Sequence, residues 1–315
     1  MICTGNTLNG SGRVCVTRDF ARGMGWLPDY PDLRDYTVER DVLAARPRCA
    51  GQVDTVAAMM TKLCLGEAEP PASVDLRGWC SPVEDEGGLG SCTAQAGVAL
   101  VEYYERRAFG RHLDASRRFL YKVTRNLLGW SGDTGAFIRT TMGALVMFGV
   151  PPEDRWPYSV EAFDEEPTAF CYAMADEYQA LQYFRLDPPG TPRDALLARV
   201  KELAAAGLPS MFGFTAYGCL EEAESDGRVP FPCPNDITLG GHAVVAVGYD
   251  DGVEIENPMC GDRTVGALRI RNSWGEEWGD GGYGWLPYAY VLEGLAIDWW
   301  TLLKNEWVDT EEFGL

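Results

Sequence analysis

The period of the apolar residues changes partway along the chain, and that change restricts the fold more than any other feature. From Cys92 onward, Ala94, Ala96, Val98, Leu100, Val101 and Tyr104 recur at helical spacing, which predicts a helix ending near Gly110. Further helices are predicted over 116–128, over 134–148 with Gly149 as the stop, and over 195–206 before Gly207-Leu208-Pro209. Beyond that point short strands are predicted over 210–215, 243–247, 267–271 and 283–286, separated by glycine and aspartate turns. Helices first and strands second make an α+β protein with a helical lobe and a β lobe.

The chain has 315 residues, enough for two lobes or one domain with terminal additions. Residues 1 to about 22 read as a loose arm, 39–65 as one or two short helices, and 66–71 as a hinge. Between them, prolines in Gly25-Trp26-Leu27-Pro28-Asp29-Tyr30-Pro31 prevent a helix, and the aromatics invite docking on the chain's own domain ahead of a cleft-covering role. The formal net charge of −20 argues against nucleic acid or an anionic membrane as the main partner. No apolar run is long enough to span a membrane, and residues 1–18 lack the apolar core of a secretory signal, which favours the cytoplasm. The ten cysteines show no dense even spacing, so most are expected to be free thiols.

One cysteine stands apart. Cys92 follows the glycine-rich stretch Gly87-Gly88-Leu89-Gly90-Ser91 and heads a predicted helix, where the helix dipole favours thiolate over thiol. Histidines are scarce: His112 sits in a polar segment, whereas His242 lies after Gly240-Gly241 at the mouth of an apolar strand. Farther on comes Asn272, in Asn272-Ser273-Trp274-Gly275. Cysteine, histidine and asparagine in that order are the residues of a thiol nucleophile, its imidazole base and an amide that orients the base.

Over roughly residues 70–300 the chain resembles the papain-like cysteine peptidases, on Gly90-Ser91-Cys92, Gly241-His242-Ala243-Val244 and Asn272-Ser273-Trp274-Gly275 with Trp278-Gly279 and Gly282-Tyr283. Within that family, Leu89-Gly90-Ser91-Cys92-Thr93-Ala94, the Gly25–Asp29 arm and Asp133-Thr134-Gly135-Ala136 are similar to a bacterial branch typified by xylellain. The resemblance implies a two-lobed fold with a β-barrel-like second lobe and a cleft between the lobes. The chain then divides into an arm or propeptide-like region at 1–70, a catalytic domain at 71–303 (helical lobe about 71–190, β lobe about 191–303) and an acidic tail at 304–315 that extends past the resemblance. By the same carry-over Cys92, His242 and Asn272 are catalytic, and Trp274 shields the bond between the last two. Asp133, Thr134, Gly135 and Gly241 would meet an extended peptide or protein substrate, with the N-terminal arm a candidate occupant of the cleft and no cofactor or metal required.

The chain departs from the family pattern in three places. Leu89 stands where many members have a disulfide cysteine, and Thr93 replaces the usual aromatic. Glu86, six residues before Cys92, replaces the glutamine whose amide helps hold the oxyanion. An ionised glutamate has no proton to donate and repels the developing charge, whereas a protonated one donates. A slow or acid-shifted thiol peptidase is therefore expected, with an impaired pseudo-peptidase serving as a binding scaffold, or acyl transfer to an amine, as alternatives.

Overall fold

A computed structural model describes residues 22–32, 35–37, 60, 61, 63, 69–175 and 182–314. The predicted arm before residue 22, most of the helices expected in 39–65 and part of the hinge lie outside these.

Among the described residues from 69 on, the first half is built from α1 (Cys92–Phe109), α2 (Arg117–Leu128), α3 (Ile138–Phe148) and α4 (Ala169–Ala175). Their ends follow local chemistry. Gly110 and Gly129 close α1 and α2 in the left-handed conformation, and the Ser116 side chain caps α2 by accepting from the Phe119 amide. α1 is buried along most of its length and packs on α2, α3 and the sheet, so the first residue of this central helix is fixed from several sides. The helix expected over 134–148 begins later, at Ile138, because Gly135 has φ +69° and Ala136 is paired in an extended arrangement with Trp26.

The second half is one antiparallel sheet. Its strands are β1 (Ser73–Asp75), β2 (Gln182–Arg185), β3 (Ser210–Tyr217), β4 (Thr238–Glu256), β5 (Arg263–Arg271), β6 (Tyr283–Pro287) and β7 (Ala296–Leu303). The order is β2-β7-β3-β4-β5-β6, with β1 on β4. Three of these strands, β1, β2 and β7, have no counterpart in the sequence-based reading, and β4 runs far past the predicted 243–247. Helix α5 (Arg193–Ala205) matches its prediction closely, and α6 (Tyr288–Leu292) and α7 (Asn305–Val308) are short.

Register in the sheet positions the chemistry. Phe214 of β3 is opposite His242 of β4, and Val245 of β4 is opposite Arg271 of β5, so Asn272 leaves β5 beside the start of β4. Buried Arg271 then ties this strand to the segment leading to the cysteine loop, donating to the Pro82 carbonyl at 2.7 Å and to Ser81 Oγ at 3.1 Å. Glu102 of α1, also buried, hydrogen-bonds Ser81 and takes the Ala115 amide at 2.9 Å. A charge-assisted network thus joins the helical and sheet halves just below the site.

The end of the chain folds back on α1. Trp307 is buried and stacks on Tyr104 with ring centroids 4.6 Å apart, donates to Glu105 at 2.9 Å, and is followed by buried Phe313 under Arg107. Cys233 and Cys260 form a disulfide across the loop before β4 and the β4–β5 turn, while Cys80, Cys92, Cys171 and Cys219 are free. Among the described residues no helix is long and apolar enough to cross a membrane.

Candidate active site

Cys92 is the first residue of α1 and is fully buried. The opening amides of a helix lack intrahelical acceptors, so donors converge where the sulfur sits. Backbone N–H groups of Ala243, Gly25 and Thr93 point at that sulfur. Ala243 follows His242 directly, so the thiol lies against the start of β4.

His242 is fully buried as well. Its Nε2 is 2.7 Å from Asn272 Oδ1, which also accepts the Ser273 amide at 2.8 Å. An oxygen that accepts at this distance places the imidazole proton on Nε2 and leaves Nδ1 with its lone pair. Nδ1 has no hydrogen-bond partner and is 3.9 Å from Glu86 Oε1. Trp274 stacks on the ring at 4.6 Å and Phe214 makes a T-shaped contact with it at 5.8 Å, and the ring is screened from water. Burial pushes the His242 pKa down to about 4, with the nearby Arg22 charge adding to the effect against the Asn272 hydrogen bond.

Glu86 occupies the facing position with no exposed surface. Its backbone is held from three directions: its N–H donates to the Ser273 carbonyl at 2.9 Å, and its own carbonyl accepts from Tyr158 Oη at 2.9 Å and from the Leu89 amide. Its Oε1 accepts the Trp274 indole proton at 2.9 Å, while Oε2 is buried without a partner. Burial raises this carboxyl well above the usual range, aided by Asp85 and Asp133, and outweighs the bond from Trp274 and the nearby Ser273 side chain. Burial also pushes the Cys92 thiol up, and Glu86 would push it further once ionised. Thiol, imidazole and carboxylic acid are all held neutral in this arrangement.

The loop predicted to meet substrate is built around Asp133. That carboxylate accepts the Gly90 amide at 3.0 Å and the Tyr121 hydroxyl at 2.5 Å, and Tyr121 in turn accepts the Gly135 amide at 3.1 Å. Asp133 therefore ties the cysteine loop to the 133–136 loop. Thr134 is exposed and its hydroxyl turns back to the Gly135 carbonyl.

Residues 23–27 run between these loops and the start of β4. The Ala136 amide donates to the Gly25 carbonyl at 2.8 Å and the Leu27 amide to the Ala136 carbonyl at 3.1 Å, while the Trp26 amide donates to the Gly241 carbonyl at 3.0 Å. Only glycine fits at 25, since a Cβ there would lie 1.8 Å from the Gly90 carbonyl oxygen. The Trp26 ring is buried against Gly213, and its indole N–H donates to Asp298 Oδ2 at 3.1 Å. The sequence reading singled out Trp26 as a docking aromatic but not Gly213, Tyr121, Tyr158 or Asp298, which come from distant elements and carry no local signal. His112 is exposed and far from this constellation in role.

Residues 70–290 match the papain family of cysteine proteases, so the chain belongs to that family and is a papain-like cysteine peptidase. Xylellain, a cysteine protease from Xylella fastidiosa, is 30% identical in its crystal structure, with a TM-score of 0.68 over 92% of this chain and 98% of that one. An uncharacterised peptidase C1-like protein of Acanthamoeba polyphaga mimivirus is 30% identical over 91% of this chain and 88% of its own. Chicken cathepsin K is 29% identical over 68% of this chain, which spans 58% of the cathepsin's length.

Proposed function

We propose that Cys92, His242 and Asn272 hydrolyse peptide bonds in an extended peptide or protein substrate through an acyl-enzyme, with Glu86 acting as a protonated donor. The observation that carries this reading is the 2.7 Å contact of His242 Nε2 with Asn272 Oδ1, which leaves Nδ1 as a base on the side of Glu86 and the cysteine loop. In the first step Nδ1 takes the Cys92 thiol proton and the sulfur attacks the substrate carbonyl carbon. The oxyanion accepts hydrogen bonds from the Cys92 backbone N–H and from the protonated Glu86 Oε2, which keeps its proton throughout. The imidazolium then protonates the leaving amine, and water, deprotonated by Nδ1, releases the acid and restores the thiol.

The Trp274 bond to Oε1 supports the role given to Glu86, because it leaves Oε2 as the oxygen free to carry a proton. Glu86→Gln supplies a permanent N–H donor. It should raise kcat/KM at alkaline pH, where wild-type Glu86 ionises, by up to about 10²-fold, since one oxyanion donor is worth about 10²–10³ in rate. A pH–rate profile checks this, and an unchanged alkaline limb would remove Glu86 from the mechanism.

Residues 23–27 lie across Cys92 as an occupant of the cleft, so the chain as folded is latent and region 1–70 acts as a retained arm on a 71–303 catalytic domain followed by the 304–315 tail. The experiment is alkylation of Cys92 by iodoacetamide in wild type and in Gly25→Ala, whose added methyl cannot seat against Gly90. Fast selective labelling in the variant, with hydrolysis abolished by Cys92→Ala, is the expected result. The second reading, a binding scaffold without turnover, is favoured by the full burial of Cys92 and by Glu86, and it predicts that Gly25→Ala stays unreactive at Cys92.

A further inference from the structure

The segment that follows Trp26 is anchored by charge at one side chain. Arg139 lies in the first turn of α3, just past the Ala136 that pairs with the arm. Its guanidinium holds both oxygens of Asp35, at 2.7 and 2.9 Å, bonds the Asp29 carboxylate, and donates to the Tyr30 carbonyl at 2.8 Å. All these partners belong to the arm. The body's own carboxylates nearby are committed elsewhere: Asp187 and Asp298 pair with buried Arg185 at 2.8 and 3.1 Å.

Arg139 also adjoins the Trp26 pocket. Its guanidinium lies 5.7 Å from the centroid of Trp300, whose indole N–H donates to Asp298 Oδ1 at 2.7 Å, and Asp298 is the same carboxylate that receives Trp26. An aromatic pocket and an arginine with a planar fork for carboxylates therefore sit side by side along the arm's path. When the arm leaves, Arg139 loses both of its carboxylate partners.

We propose that Arg139 is a specificity-determining residue that recognises an acidic side chain of the peptide substrate. This rests on the reading of 23–27 as the occupant of the substrate cleft. The ligand class is an extended peptide carrying an aromatic residue for the Trp26 pocket and an aspartate or glutamate about three residues away, a span of roughly 10 Å in extended chain. The arm supplies the same two groups as Trp26 and Asp29.

The test uses the full chain carrying Gly25→Ala, with and without Cys92→Ala. Two peptides are compared, identical except for Asp or Asn three residues from a tryptophan, each made in both chain directions. Binding is measured on the chain with Cys92→Ala and kcat/KM on the chain that retains Cys92. The Asp peptide should bind about tenfold more tightly than its Asn partner in one of the directions, the scale of one charge-assisted contact. Arg139→Gln should collapse that ratio toward one and Arg139→Lys should restore part of it. Equal binding of the two peptides, no binding of either, or a ratio that survives Arg139→Gln would overturn the proposal. Selective binding of the Asp peptide with hydrolysis of neither overturns the peptidase reading alone, and equal hydrolysis and binding of both overturns the specificity reading alone.

Discussion

The two ends of the described chain both dock on the papain-like body, and they do so with opposite chemistry. The tail buries Trp307 and Phe313 on the tyrosine face of α1, where Trp307 stacks on Tyr104. Among its described residues the arm segment at 22–37 buries one large side chain, Trp26, and is held mainly by glycine backbone pairing, by carboxylates on Arg139 and Arg185, and by Arg22 on Glu224 and Trp274. Apolar stacking resists water and salt, whereas ion pairs and a backbone track can be replaced by another peptide. On the proposed reading the tail stays and the arm is exchanged.

That contrast can be broken most directly at the two tryptophans. Losing a buried Trp side chain costs about 3–5 kcal/mol. In Trp307→Ala the loss should fall on the whole fold, with a lower Tm and no gain in Cys92 alkylation under native conditions. In Trp26→Ala it should fall on the arm's seat, so that alkylation at Cys92 rises by about 10²-fold or more while the melting of the body changes less. Thermal melts and alkylation rates measured on both variants decide the matter, and the same response from both would erase the distinction.

The second difference is electrostatic and is read at His242. With the arm seated, burial and the charge of arm residue Arg22 hold this pKa down to about 4. A histidine whose folded pKa lies below its unfolded value of about 6.5 stabilises the fold fully above that value. The contribution is lost as pH falls from about 6.5 through 4. Unseating the arm in Gly25→Ala admits water and removes Arg22, so the His242 titration should move back upward. Proton NMR follows it easily, because His112, exposed on the surface, is the chain's other histidine. A titration that stays near 4 in the variant would mean that the cleft walls, rather than the arm, bury the ring.

These contacts also mark what could be read in the sequence. Helices α1 and α2 were legible because their apolar period and their closing glycines are local signals. The order Cys92, His242, Asn272 was legible because the residue types are scarce and chemically specific. Strand β7 was not, since a buried Asp298 at φ +62° sits between Ile297 and the pair Trp299-Trp300, a pattern that neither alternates nor runs continuously apolar. The start of α3 was misplaced for a related reason: Asp133 to Phe137 have helical neighbours in sequence, but Gly135 sits at φ +69° with its amide on the Tyr121 hydroxyl, and Ala136 spends its backbone on Gly25 and Leu27, more than a hundred positions away. The pocket formed by Gly213, Asp298 and Trp26 joins three separate elements, and only folding brings them together.

The smallest effect isolates the charge at the arm's edge. Asp29 and Arg139 are about a quarter exposed, so their bond is screened and worth about 1 kcal/mol or less. Asp29→Asn keeps the size of the side chain and removes its charge, leaving Asp35 on the same guanidinium. Cys92 alkylation should therefore rise only severalfold in low salt, and the gap from wild type should close as salt is added. Trp26→Ala should show no such salt dependence, because its seat is an apolar pocket with a single hydrogen bond. Measuring both variants across a salt series separates the charged part of the arm's attachment from the packed part. If Asp29→Asn matched Trp26→Ala in size, the carboxylates rather than the tryptophan would be what holds the arm over Cys92.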